Sequence, residues 1–237
     1  MNLDRVTVTG ADDSIEPEAL IPLTERYPFV EWGILFSGSR QGSDRYPSAD
    51  WLARLRKIAP KLPNLCAHLC GTWVRNIVLE GAPTWWSKYE PLPPIFKRVQ
   101  LNFHGQFHKA GKEFVPALKR LALIHEGFIL QHDGVNDETI KTLGADLPVA
   151  PLFDRSGGAG VLPEAWPKPI WSYQGYAGGL SPENVEDELH RILDVAGESR
   201  IWIDVETRVR SEEDALFDLA KVETFLKRAA PFVRHES

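Results

Sequence analysis

The sequence predicts an α/β fold of the (β/α)8 kind, the TIM barrel, as a single domain over residues 1–237. Three observations point there. Eight short segments carry the alternation or apolar bulk of strands, and segments of helical period lie between them. A chain of 237 residues has the length of one such barrel. The competing architecture, a doubly wound open sheet, usually carries a Gly-rich phosphate turn after its first strand, and here that place reads "TGADDS".

The first strand is "RVTVT", with Val6 and Val8 on one face and Thr7 and Thr9 on the other. In a barrel the valines face the helix layer and the threonines face the axis. The first helix spans residues 16–26. A second strand, "FVEWGILF", leads through the insert "SGSRQG" to a helix over 48–59 capped by Ser48. "LCAHLC" is the third strand, followed by a helix over "TWVRNIVLEG" and a Pro- and Trp-rich connection, "GAPTWWSKYEPLPPIF". Tryptophans exposed there would make a subunit contact, and with it a homodimer. "RVQLNF", "FILQH", "VAPLFD" and "PIWSYQ" are strands four to seven. Ser181 and Pro182 then read as N-cap and first turn of "SPENVEDELHRIL". The eighth strand is "RIWIDV". The last helix is "SEEDALFDLAKVETFLKRAA", with Ser211 as its cap, acids in its first turn and bases near its end.

Composition narrows the function classes. A net charge of −6 leaves no basic field for nucleic acid or an anionic membrane. No apolar run is long enough to span a bilayer, and the start "MNLDRVTVTG" is no secretory signal, so cytoplasm is the expected location. Cys66 and Cys70 are the only cysteines and imply no disulfide framework. The expected partner is a small-molecule substrate, and no cofactor is implied.

Active sites of (β/α)8 barrels lie at the C-terminal ends of the strands. Alternation places Thr9, His68, Cys70, Asn102, Gln131, Asp154, Gln174 and Glu206 inward near those ends. A barrel filled only for stability would be mostly Val, Ile and Leu there, because unpaired buried polar groups destabilise. The ring therefore reads as the wall of a ligand site. Cys66, His68 and Cys70 share one strand face, yet same-face neighbours lie ~7 Å apart and three in a row rarely converge on one ion. A packed Cys and a hydrogen-bonded His are the plainer reading, and no metal is expected. His132 and Asp133 in "QHDGVND" fit a turn and helix cap. His104 fits a general base or a loop histidine. Asp154, ending a strand before "RSGGAG", fits a general acid or base, or a loop cap.

Several segments together resemble phosphoribosylanthranilate isomerase. "VTVTG" is similar to the V-K-I-C-G of that family's first strand. "SDRYPS" is similar to S-P-R-x-[VI]-S, "VQLNFHG" to V-Q-L-H-G with two residues inserted, and "PLFDRSGGAG" to the L-L-D-x…G-G-x-G region. "AGGLSPENV" nearly repeats the family's A-G-G-L-x-P-e-N-V, and "IDVETRVR" resembles D-V-S-S-G-V-E. The resemblance implies a cofactor-free Amadori rearrangement of a phosphorylated aminosugar, with Asp154 as general acid. It implies substrate binding by Arg45 and a phosphate turn at Gly178 and Gly179. The family's general base, a Cys, falls on Thr9.

The departures fall on the chemistry. A Thr hydroxyl is no base without a strong activating partner, so His68, His104 or Cys70 would have to replace the thiolate. Glu206, Thr207 and Arg208 stand where the family has Ser-Ser-Gly. Glu206 would repel a phosphate, and Arg208 either compensates or pairs with Glu206. With Gln131 these residues are the expected substrate contacts. Three functions remain open at this level: an isomerase of the family type, a divergent barrel enzyme on another small substrate, and a non-catalytic binder.

Overall fold

The structure, a computed structural model, describes residues 2–102, 110–132, 140, 147–156, 159–211 and 213–234. Eight parallel strands close into a barrel in chain order. They are β1 (Leu3–Thr9), β2 (Val30–Ser37), β3 (Leu65–Cys70), β4 (Arg98–Leu101), β5 (Gly127–His132), β6 (Val149–Phe153), β7 (Tyr173–Ala177) and β8 (Arg200–Val205). Pairing of β1 with β8 closes the ring. The helices are α1 (Leu20–Arg26), α2 (Ala49–Ile58), α3 (Thr72–Glu80), α4 (Thr84–Lys88), α5 (Phe114–Leu121), α6 (Val185–Ala196) and α7 (Leu219–Ala229). A two-stranded ribbon, β9 (Arg210–Ser211) with β10 (Leu216–Phe217), lies between β8 and α7. No helix among the described residues is long and apolar enough to cross a membrane.

Local chemistry explains most boundaries. The Ser48 hydroxyl accepts from the Trp51 amide and starts α2, and Gly81 ends α3 in the left-handed conformation. One of the two expected serine caps is corrected. Ser181 opens the turn into α6 as expected, its hydroxyl accepting from the Glu183 amide at 3.2 Å and its carbonyl from the Val185 amide at 3.1 Å, and the regular helix runs from Val185. Ser211 sits in β9. Asp218 caps α7 instead, accepting from the Ala220 and Lys221 amides.

The seventh strand is also corrected, from 169–174 to Tyr173–Ala177. Its inner face carries Tyr173, Gly175 and Ala177, because a Cβ at Gly175 would stand 2.3 Å from the Trp202 ring. Gln174 consequently faces the helix layer, where its Oε1 accepts from the Ile170 amide at 2.8 Å, and it is no part of the mouth. Between β6 and β7 the described residues form no helix. Trp166 fills that place, edge-on to Tyr176 and donating to Glu188 Oε2 at 2.7 Å.

The tryptophans of the β3–β4 connection are buried, which removes the ground for a subunit contact through them. Trp85 packs edge-on to Phe36 at 5.0 Å between ring centroids. The Trp86 indole donates to His125 Nε2 at 2.7 Å, so His125 Nδ1 carries the proton and donates to Phe96 O at 2.8 Å.

Inside the barrel three layers follow the axis. At the floor, Glu31 accepts from Arg98 Nε at 2.9 Å and Nη2 at 2.5 Å, Arg5 Nη1 at 3.1 Å and the Thr7 hydroxyl at 2.9 Å. The Arg98 guanidinium lies over the Trp202 ring at 4.6 Å. Above it, Cys66, Ile129, Leu152 and Trp202 form a fully buried apolar plug. Polar residues occupy the mouth.

Candidate functional site

Strand alternation delivers the mouth residues. On β1 the odd positions face inward, so Thr7 meets Glu31 and Thr9 meets Asp204, its hydroxyl donating to Oδ1 at 2.9 Å. On β8 the inward set is Trp202 and Asp204, followed by Glu206 just beyond the strand. Above Asp204 opens a cavity of 480 Å3. Asp154, Ser156, Gly178 and Gly179 line one side of it, from the ends of β6 and β7. Asp204, Glu206, Thr207 and Arg208 line the β8 side, and Arg40, Arg45 and Tyr46 come over from the β2–α2 loop. Cys70, Gln100, Asn102 and Gln131 complete the wall.

Of the residues expected from sequence, Asp154, Arg45, Gln131, Gly178, Gly179, Glu206, Thr207 and Arg208 all reach this cavity. Thr9 and His68 do not line it. They lie beneath Asp204, both approaching the place a Cβ on Gly33 would take, at 2.3 Å for Thr9 Oγ1 and 2.9 Å for His68 Nε2. Gly33→Ala therefore forces Thr9 and His68 apart. It is expected to destabilise the fold by roughly 1–3 kcal/mol, read by chemical denaturation. A variant as stable as the parent would show that this layer has slack. His104 lies outside the described residues.

Electrostatics divides the carboxylates. Burial pushes the Asp204 carboxyl well above the ordinary range; the Thr9 hydroxyl pulls the other way, and the charges of Glu206, Asp154 and Glu31 add to the rise. Asp154 accepts from Gln131 Nε2 at 2.8 Å, from the Ser156 hydroxyl at 2.9 Å and from the Ser156 amide at 3.1 Å. Burial drives His68 down to about 3 and pushes the Cys70 thiol up, so neither is a ready base at neutral pH.

Glu206 pairs with Arg45, at 2.5 Å from Nη1, so of the two alternatives for Arg208 the structure does not show a pair with Glu206. Arg45 also pairs with Asp214, and its amide donates to Asp12 Oδ2 at 2.6 Å. Arg210, fully buried, ties Asp12, the Gly10 carbonyl and Asp214 together. Arg208 donates to Gly160 O at 3.4 Å and has no carboxylate partner among the described residues. No three His, Cys, Asp or Glu side chains among them are placed to hold a metal ion.

Sequence reasoning missed Asp204, Gln100, Tyr46, Asp12 and Asp214. Asp204 and Gln100 had a signal, since each lies two residues before a chosen residue on the same strand face. Asp214 had none, because its segment reads as helix.

Comparison with known proteins adds the architecture. No family model matches the chain, and no curated protein matches it. A solved structure, N-(5'-phosphoribosyl)anthranilate isomerase from Pyrococcus furiosus, superposes with a TM-score of 0.56 over 96% of this chain and 98% of that chain, at 14% identity. The likeness is one of fold. It fixes the chain as a barrel of the same architecture as that isomerase, with the cavity above at the end of the barrel where such folds place their chemistry.

Proposed function

We propose that the barrel mouth catalyses acid–base isomerisation of an aminosugar phosphate, the reaction class of the isomerase it resembles in fold. The observation that carries this reading is a pair of carboxylates, Asp154 and Asp204, at one cavity in opposed surroundings. Asp204 lies buried at the bottom of the cavity and fits an acid, and Asp154, held by hydrogen-bond donors, fits a base. Asp204, whose carboxyl burial raises, is the acid: it donates its proton to the ring oxygen, which opens the sugar to an iminium. Asp154, fixed as an acceptor by Gln131 and Ser156, removes the C2 proton, and the enolamine then tautomerises to the aminoketose. Thr9 becomes a positioning residue for Asp204, in place of the base the resemblance assigns to it. The turn at Gly178 and Gly179, with Thr207 and Arg208, offers the phosphate end backbone amides and a cation.

The test is turnover of N-(5'-phosphoribosyl)anthranilate by the purified protein, followed by its fluorescence. Turnover is expected, with kcat lowered ~10²–10⁴-fold in Asp154→Asn. A silent wild type, or an Asp154→Asn variant as fast as the parent, sinks the reading. Thr9→Val keeps the side chain's shape and removes its hydrogen bond to Asp204. Because that bond pulls the carboxyl downward, its loss moves the alkaline limb of the kcat profile to higher pH. An unmoved limb would separate Thr9 from the chemistry.

One observation favours a second reading, a barrel enzyme on a different substrate. Arg45, the residue expected to hold the anthranilate end, is already bound by both Glu206 and Asp214.

A further inference from the structure

Two arginines of the β2–α2 loop enter the mouth, and they are committed differently. Arg45 turns toward β8, where Glu206, Asp214 and the Thr207 hydroxyl hold it. Arg40 turns toward β3. Its guanidinium lies 4.8 Å from the centre of the Tyr46 ring, a cation–π contact. Burial raises the Cys70 thiol at the end of β3, and Asn102, Tyr46 and the charge of Arg40 pull the other way. Arg40 is exposed, lines the cavity, and has no carboxylate partner among the described residues. Its backbone is fixed, because the Arg40 carbonyl accepts from the Ser43 amide at 3.0 Å and the Ser43 hydroxyl at 2.6 Å. The Gly42 amide closes the turn on Tyr46 O at 2.9 Å. The insert "SGSRQG" is thus a folded turn that presents a guanidinium at a set place on the rim.

Ring order decides which arginine each end of a ligand meets. Gly178 and Gly179, which offer amides to a phosphate, follow β7, and Thr207 and Arg208 follow β8. In the closed order from β1 to β8, β3 lies four strands from β7, on the far side of the mouth. Arg45 is therefore held on the phosphate's own side, and Arg40 stands across from it. A second anion of the ligand arriving at Arg45 would have to displace Glu206 or Asp214. At Arg40 it displaces only water, and a guanidinium fork matches a carboxylate with charge-assisted hydrogen bonds.

We infer that Arg40, positioned by the Tyr46 ring, binds the carboxylate of the aromatic amine carried by the aminosugar phosphate, in place of Arg45. The inference rests on the reading of this cavity as the substrate site. It is tested by binding, so its failure is distinct from a failure of turnover.

The probes are two analogues of the aminoketose that cannot react, N-(2-carboxyphenyl)-1-amino-1-deoxypentitol 5-phosphate and its carboxamide. Both are fluorescent through the aminophenyl group, and they differ only in the carboxylate. They are titrated against the whole protein at neutral pH by fluorescence anisotropy. The carboxylate probe is expected to bind at least about tenfold more tightly, the factor supplied by about one charge-assisted hydrogen bond. Arg40→Gln, a change at an exposed side chain that the fold tolerates, should erase that preference. Arg45→Lys keeps the charge of the mouth and should keep the preference. Equal affinities in the parent, no saturable binding of the carboxylate probe, a preference that survives in Arg40→Gln, or one lost in a folded Arg45→Lys would each overturn the inference. A protein that binds in this manner and does not turn over N-(5'-phosphoribosyl)anthranilate would sink the proposed reaction and leave the Arg40 contact standing.

Discussion

Glu31→Ala lowers the midpoint of thermal unfolding by roughly 6–20 °C at neutral pH. The substitution takes away the carboxylate that pairs with Arg98, whose guanidinium is almost wholly buried. Breaking a buried pair by removing one partner destabilises by about 3–5 kcal/mol, because the remaining charge is left without compensation. For a chain of this size each kcal/mol moves the midpoint by about 2–4 °C. The acid side provides a second reading of the same network. Burial opposes ionisation of Glu31, but Arg98, Arg5 and the Thr7 hydroxyl outweigh it and hold the carboxyl at about 2, against an ordinary 4.5. A depressed carboxyl stabilises the fold fully above its ordinary value. That contribution, about 3 kcal/mol, is lost as pH falls through 4.5 toward 2. Calorimetry of the parent and Glu31→Gln between neutral pH and pH 2 checks both parts. A Gln variant with the parent's midpoint and the parent's acid slope would show that the network contributes nothing to stability.

Asp204→Asn lowers kcat by ~10²–10⁴-fold and removes the alkaline limb of the pH profile. The sign follows from the surroundings. Burial, with the charges of Glu206, Asp154 and Glu31, raises the carboxyl, so it keeps its proton to higher pH than an ordinary Asp and loses it as pH rises through that raised value. Activity that depends on the proton follows the same course. Asn keeps the volume and can still accept from the Thr9 hydroxyl, so the packing of this layer is preserved. The effect should fall on kcat more than on KM, because proton donation stabilises the transition state more than the bound ground state. A variant that retains both rate and alkaline limb would place the acid elsewhere.

Alternation carried the sequence reading furthest on β1 and β8. The pattern of Thr7 and Thr9 against Val6 and Val8 is enough to aim the two hydroxyls at the axis, and their partners, Glu31 and Asp204, occupy inward positions on the neighbouring strands. The same logic failed at β7, where Gly175 and Ala177 lack the bulk that marks a strand and the aromatic run ahead of them supplies it. Gly175 is small because Trp202 occupies its side of the barrel, a reason that exists only in three dimensions. The start of α7 was misplaced because Ser211 fitted the cap pattern while Asp218, seven residues on, makes the cap hydrogen bonds. The ion network of Arg45, Glu206, Asp214 and Arg210 was illegible, because it joins loops after β2 and β8 that no local pattern relates.

The apolar plug between floor and mouth puts fully buried side chains beneath the cavity. With Cys66, Ile129, Leu152 and Trp202 below it, Asp204 meets solvent on its cavity side. A ligand seated over it would close that route for as long as it stays bound. If Asp204 donates as proposed, isotope it carries would pass to the ligand ahead of bulk water within a bound lifetime, and the barrel's filled waist would act as insulation for the hydrogen inventory of the site.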